Sequence, residues 1–139
     1  MIQSKAPSEV KSTEQLGFLL GKSILLIDDS ADLCLLYQRI METEGAVVTT
    51  TTTAQQGIAL ALTRNFDLVV MDIEMPIITG LEAASMLRRA GFNRPLVALS
   101  GHSDDDHRQA ALDSGYDGYL CKDGDTLNFS ERLRPWLGC

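Results

Sequence analysis

Three aspartates, a serine and a lysine have side chains that suit one piece of chemistry: Asp28, Asp29, Asp72, Ser100 and Lys122. Three carboxylates brought to one place repel one another, and the arrangement is costly unless a cation sits among them. A hard divalent ion such as Mg²⁺, which takes oxygen ligands and keeps several waters, removes that cost. An ammonium and a hydroxyl beside such a cluster can bind two oxygens of a tetrahedral anion while the metal holds a third, which suits a phosphoryl group. A carboxylate is itself a nucleophile toward phosphorus and gives an aspartyl phosphate. Asp72, at the end of the middle strand of the pattern, is the candidate acceptor. Taken singly, each residue has a plainer explanation as a strand terminator or helix cap, Asp29 and Ser30 above all. Only convergence on one edge outweighs that explanation.

The order of elements supplies the convergence. Residues 23–28 (SILLID), 47–53 (VVTTTTT), 67–72 (DLVVMD), 95–100 (PLVALS) and 116–121 (YDGYLC) are short apolar or β-branched runs that read as strands. Helical stretches lie between them. The first covers residues 31–44, with Leu33, Leu36, Tyr37 and Ile40 at helical spacing, Ser30 in front and Gly45 behind. Thr53 and Gln56 form a capping box for the second, which runs to about residue 65 although Gly57 counts against it. The third spans about 79–90 and closes at Gly91, and the fourth is capped by Ser103 and ends at Gly115. A last helix from about residue 125 carries Leu127, Phe129, Leu133 and Trp136 and is interrupted near Pro135. Five βα units make an α/β fold close to the smallest doubly wound parallel sheet, and such sheets bind ligands outside the carboxyl ends of their strands. At that edge strand one ends in Asp28 and Asp29, strand three in Asp72 and strand four in Ser100, while Lys122 follows strand five.

The chain has 139 residues, 45% of them hydrophobic, which suits one globular domain and excludes a two-domain enzyme. A net charge of −7 argues against nucleic acid as a partner, since that affinity comes from Lys and Arg neutralising phosphates. No apolar run approaches the roughly 20 residues of a membrane span, so no membrane contact by this chain and a cytoplasmic location are expected. Residues 1–15 are polar, contain Pro7 and lack any apolar period. Residues 1–20 are therefore read as a flexible arm or linker and 21–139 as the domain. Cys34, Cys121 and Cys139 are odd in number and far apart, as expected for reduced structural thiols.

At these residues the chain resembles the receiver domain of two-component response regulators. The motifs are ILLIDDS at residues 24–30, DLVVMDIEMP with a following TG at 67–80, PLVALSGH at 95–102 and DSGYDGYLCK at 113–122. The resemblance covers about residues 22–137 and implies a flavodoxin-like (βα)5 fold with strand order 2-1-3-4-5. It also implies that Asp72 is the phosphoacceptor in a phosphorelay. Asp29, Asp72 and the backbone carbonyl of Glu74 would be direct ligands of Mg²⁺ or Mn²⁺, and Asp28 would reach the metal through water. Ser100 stands at the switch hydroxyl, Tyr119 at the switch aromatic and Lys122 at the phosphate-pairing lysine. The implied partner is a histidine kinase or a histidine phosphotransfer protein, and whether the domain forms a homodimer stays open. The phrasing from residue 92 to 122 most resembles receivers of hybrid histidine kinases.

Two positions depart from the family pattern. Asp123 follows Lys122 where the family usually has Pro, and Thr79 stands where an acid is common, a change expected to alter only a helix cap. The alternative reading is a pseudo-receiver, a phosphorylation-independent protein-interaction module motivated by Asp123. A phosphomonoester hydrolase using Asp72 lacks an evident general acid. Other signals carry less weight. GFLLGKS at residues 17–23 has three residues between its glycines where a P-loop needs four. His102 and His107 read as surface residues without a further ligand pair, and Asp104, Asp105 and Asp106 as acids favoured by a helix dipole. Arg88 and Arg89 read as a solvated helix face, and Met71, Met75 and Met86 as core or core-edge filler.

Overall fold

The β-branched and leucine-rich runs form strands, and the amphipathic stretches between them form the crossovers. In the computed structural model, which describes residues 17–122 and 128–138, β1 (Ser23–Ile27), β2 (Val47–Thr51), β3 (Leu68–Asp72), β4 (Leu96–Ser100) and β5 (Gly118–Cys121) make one parallel sheet. Its order is β2-β1-β3-β4-β5, the doubly wound arrangement expected of five βα units. The helices are α1 (Ala31–Thr43), α2 (Ala54–Thr63), α3 (Gly80–Arg89) and α4 (Asp105–Ser114).

Every residue of β3 and β4 is buried, because helices cover both faces of the sheet. Alternate residues supply the two cores. Leu25, Ile27, Val69, Met71 and Ala98 pack with Ala61 of α2, Leu87 of α3 and Ala111 of α4. Ile24, Leu26, Val70, Val97 and Leu99 pack with Tyr37 and Met41 of α1 and with Phe129 and Leu133 near the C-terminus. Of the candidate filler methionines, Met71 and Met75 are buried and Met86 lies at the exposed edge. No helix among the described residues is long and apolar enough to cross a membrane.

The register aims the strand ends. Ile27 pairs with Met71, Asp72 with Leu99 and Ser100 with Cys121. The ladder continues one step further at each side, from Asp28 N–H to the Thr51 carbonyl (3.1 Å) and from Lys122 N–H to the Ser100 carbonyl (2.6 Å). The residues that close the strands therefore face one edge together.

Several local expectations change. Residues 17–20, expected in the arm, belong to the folded body: Leu19 is fully buried and its N–H donates to the Glu44 carbonyl at 2.9 Å. Residues 1–16 lie outside the described part. The cap of α4 is Asp104 rather than Ser103, its carboxylate accepting from His107 N–H. At α2, Thr53 caps Gln56 N–H, and Gly57, which counted against the helix, has a packing reason. A Cβ there would sit 2.4 Å from Ile27 Cδ1, so only glycine lets α2 lie this close to β1. The C-terminal element is a 3₁₀ helix, Glu131–Trp136, with Pro135 inside it; residues 123–127, where its start was expected, are outside the described residues. Arg88 is not simply solvated. It donates to the carbonyls of Gly115, Phe92 and Arg94 and pairs with Asp117 at 2.8 Å, tying the end of α3 to the turn before β5.

The start of α3 is pressed against the end of β3. Thr79 and Glu82 form a reciprocal capping box, so the departure at Thr79 does keep a working cap. Gly80 N–H donates to the Ile73 carbonyl at 3.0 Å, and a Cβ on Gly80 would lie 2.3 Å from the Asp72 carbonyl oxygen. Gly80→Ala is expected to destabilise the domain by about 1–3 kcal/mol, because backbone rather than a flexible side chain must yield. Urea unfolding of the variant beside wild type checks this, and an unchanged midpoint would show that the approach is not constrained.

Candidate functional site

The edge formed by the register gathers the sequence-predicted residues in one place. Asp28 and Asp72 are buried, Asp29 is exposed, and one carboxylate oxygen from each lies within 4.8 Å of the others. Local backbone donors orient the two buried acids: Ser30 N–H donates to Asp28 Oδ1 and Glu74 N–H to Asp72 Oδ1, both at 2.9 Å. Lys122 Nζ bridges them, 2.8 Å from Asp28 Oδ2 and 3.1 Å from Asp72 Oδ2.

One ammonium among three carboxylates leaves the cluster electrostatically short of positive charge. Burial, with Asp28 alongside, pushes the Asp72 carboxyl up to about 6 although the Glu74 amide and Lys122 oppose the rise. Burial alone would lower the pKa of Lys122, but Asp28 and Asp72 outweigh it and hold the ammonium above its ordinary value. Asp28 Oδ2 is buried and, although Lys122 is close, it accepts no well-aligned hydrogen bond. The Lys122 ammonium at 2.8 Å offsets part of the desolvation of that oxygen. An all-oxygen set of this charge fits a hard divalent cation of the Mg²⁺ or Mn²⁺ type. The neighbouring Cys34 is not part of that set. Its thiol donates to the Asp28 carbonyl, and burial pushes it up to about 11, so it stays protonated and structural.

Ser100 and Tyr119 meet on one residue of the β4–α4 loop. Ser100 is fully buried and its Oγ accepts from His102 N–H at 3.0 Å. Tyr119, 5% exposed, donates its hydroxyl to the His102 carbonyl at 2.5 Å, with the Arg108 guanidinium over its ring. Asp123 lies outside the described residues.

Sequence reasoning missed the side-chain cluster beside this loop. His102 Nε2 lies 2.6 Å from Glu74 Oε2, and the His102 and His107 rings stack with centroids 4.0 Å apart. A spacing of five residues across a loop and a helix start gives no periodic signal that would place the two imidazoles together.

A family model described as response regulator receiver domain matches residues 24–134. The chain belongs to this family. Among curated proteins, it is 36% identical over 120 residues to an uncharacterized 14.6 kDa protein in the sodA1 3′ region of Leptolyngbya boryana, covering 85% of this chain and 92% of that one. It is 32% identical to the sensor histidine kinase GacS of Pseudomonas protegens over 83% of this chain, but spans only 13% of the kinase. Among solved structures, the receiver domain of the sensor histidine kinase PA1611 from Pseudomonas aeruginosa superposes with a TM-score of 0.77 at 24% identity. That likeness covers 86% of this chain and 99% of the other, whose structure is described with magnesium in the active-site cleft. The receiver fold and its strand order therefore stand as the resemblance implied.

The raised pKa of Asp72 has a stability consequence. Its folded value lies above the ordinary 3.8, so the folded state holds the extra proton and this group's contribution falls as pH rises from about 4 to about 6. In magnesium-free buffer, wild type should lose about 1–2 kcal/mol relative to Asp72→Asn across that window, after allowance for solvent screening. Paired urea melts at both ends of the window measure it, and parallel pH profiles for the two proteins would refute it.

Proposed function

We propose that this receiver domain takes a phosphoryl group onto Asp72 from a phosphohistidine of a partner, either a histidine kinase or a histidine phosphotransfer protein. The observation that carries the reading is the bridge from Lys122 Nζ to Asp28 and Asp72 inside a three-carboxylate cluster. The Glu74 amide fixes the rotation of the Asp72 carboxylate, which holds the nucleophile ready for in-line attack. A carboxylate oxygen bonds to phosphorus as the phosphorus–nitrogen bond to the donor imidazole breaks. Lys122 then pairs with the oxygens of the transferred group. Asp28, Asp29, Asp72 and the Glu74 carbonyl would hold Mg²⁺ or Mn²⁺, which when bound neutralises charge on those oxygens.

The switch follows from the hydrogen bonds of Ser100. To donate to a phosphoryl oxygen its hydroxyl must move within a loop that it now secures through His102 N–H. Tyr119 holds the same residue by its carbonyl, so movement of the loop is passed to β5 and to the surface around α4. Similarity to the receiver of a sensor histidine kinase supports an origin in, or service to, a hybrid sensor kinase and a cytoplasmic location.

Incubation with a small phosphodonor such as acetyl phosphate and Mg²⁺, followed by intact mass, tests the reading. Wild type should gain one phosphoryl group and Asp72→Asn none. Lys122→Ala, which keeps the acceptor, should take up phosphate about 10²-fold more slowly or worse. Unmodified wild type would favour a phosphorylation-independent interaction module instead.

A further inference from the structure

We propose that Glu74, His102 and His107 form a second metal site, separate from the carboxylate cluster and selective for a borderline transition ion such as Zn²⁺, which bridges the β3–α3 and β4–α4 loops. The three side chains each bring one ligand atom within 4.8 Å of the others. Two imidazoles and a carboxylate are a donor set for Zn²⁺, Ni²⁺ or Cu²⁺ rather than for Mg²⁺, which prefers oxygen throughout. The two neighbouring sites thus differ in the chemistry they select.

The arrangement around the imidazoles supports ligation. His107 Nδ1 lies 2.7 Å from Asp104 Oδ1. A carboxylate accepting from Nδ1–H fixes the tautomer in which Nε2 carries a lone pair, the usual outer partner of a metal-bound histidine. His102 presents Nε2 to Glu74 Oε2 at 2.6 Å, so a cation entering between them replaces the proton they share. The rings are nearly parallel, 10° apart, and their lone pairs do not yet converge. Rotation of one ring about χ2, a soft torsion in histidine, is the change that loading requires. All three side chains are accessible enough to make it.

The site would act as a staple. Glu74 Oε1 already accepts weakly from Gly101 N–H at 3.4 Å, and His102 carries the hydrogen bonds of both Ser100 and Tyr119. A metal holding Glu74, His102 and the first turn of α4 secures that loop from outside. The bland alternative is two exposed His–carboxylate pairs of little energetic weight.

The untagged chain, kept in excess Mg²⁺ to occupy the carboxylate cluster, should bind one Zn²⁺ by calorimetry and rise in melting temperature with added Zn²⁺. Asp104→Asn should weaken Zn²⁺ about 10-fold or more through loss of the orienting carboxylate. The exposed double variant His102→Ala/His107→Ala should lose both binding and thermal shift, while Asp29→Asn should retain them. Co²⁺ in place of Zn²⁺ should give visible bands without thiolate charge transfer. Absence of Zn²⁺ binding by wild type, or binding undiminished in the double variant, would overturn the assignment. Thiolate absorption with Co²⁺ would do the same by placing the metal on cysteine. None of these readouts requires Asp72 to be phosphorylated, so failure here is distinguishable from failure of the phosphoacceptor reading.

Discussion

The structure depends on holding two carboxylates, Asp28 and Asp72, inside the protein with one ammonium between them. A pair of buried acids is an expense that packing elsewhere must offset, because desolvation and mutual repulsion both act against the ionised forms. The protein meets part of the cost with fixed backbone donors, Ser30 N–H to one acid and Glu74 N–H to the other. It meets another part with Lys122. The third carboxylate, Asp29, stays at the exposed side of the pair.

The rest of the fold can be understood as what keeps those groups at one edge. Parallel pairing with the strand order reversing at β1 and β3 puts Asp28 and Asp72 on adjacent strands. Lys122 arrives from two strands away, carried by a ladder that continues past β5 to the Ser100 carbonyl. Close contacts then remove slack: α2 lies on Ile27 because position 57 has no side chain, and α3 starts against the Asp72 carbonyl because position 80 has none. Each glycine costs helix propensity and gains an approach that alanine would block.

That division also explains what could be read from the sequence. Strand runs and their terminal acids are local patterns, so the five units, the edge and the residues Asp28, Asp29, Asp72, Ser100 and Lys122 were legible in order. The gaps arose where a residue acts across the chain. Leu19 follows a polar segment and reads as part of the arm, yet it is fully buried and its N–H donates to the Glu44 carbonyl just after α1. Arg88 follows a solvated-face pattern, but its guanidinium reaches three carbonyls on two segments. Asp104 displaced Ser103 as a cap because both are good caps one residue apart, and geometry rather than residue type chooses between them. His102 and His107 stack only because a loop folds back onto the first turn of α4, which no periodicity encodes.

The β4–α4 loop is where the constraint at the edge becomes communicable. His102 receives Tyr119 at its carbonyl, gives its N–H to Ser100 and meets Glu74 with its ring. Glu74 in turn gives its own N–H to Asp72. A continuous chain of contacts thus runs from Asp72 through Glu74 and His102 to Ser100 and Tyr119. A displacement of Ser100 toward Asp72 has to break or carry along the His102 amide, and the Tyr119 hydroxyl, bonded to the same residue, loses or follows its acceptor. Two side chains that share one backbone unit cannot move independently at low cost, since an orphaned hydroxyl in a nearly buried position costs about 1–3 kcal/mol. Ser100 and Tyr119 are therefore tied to one another through the backbone of His102. Its imidazole is exposed and faces Glu74 of the neighbouring loop.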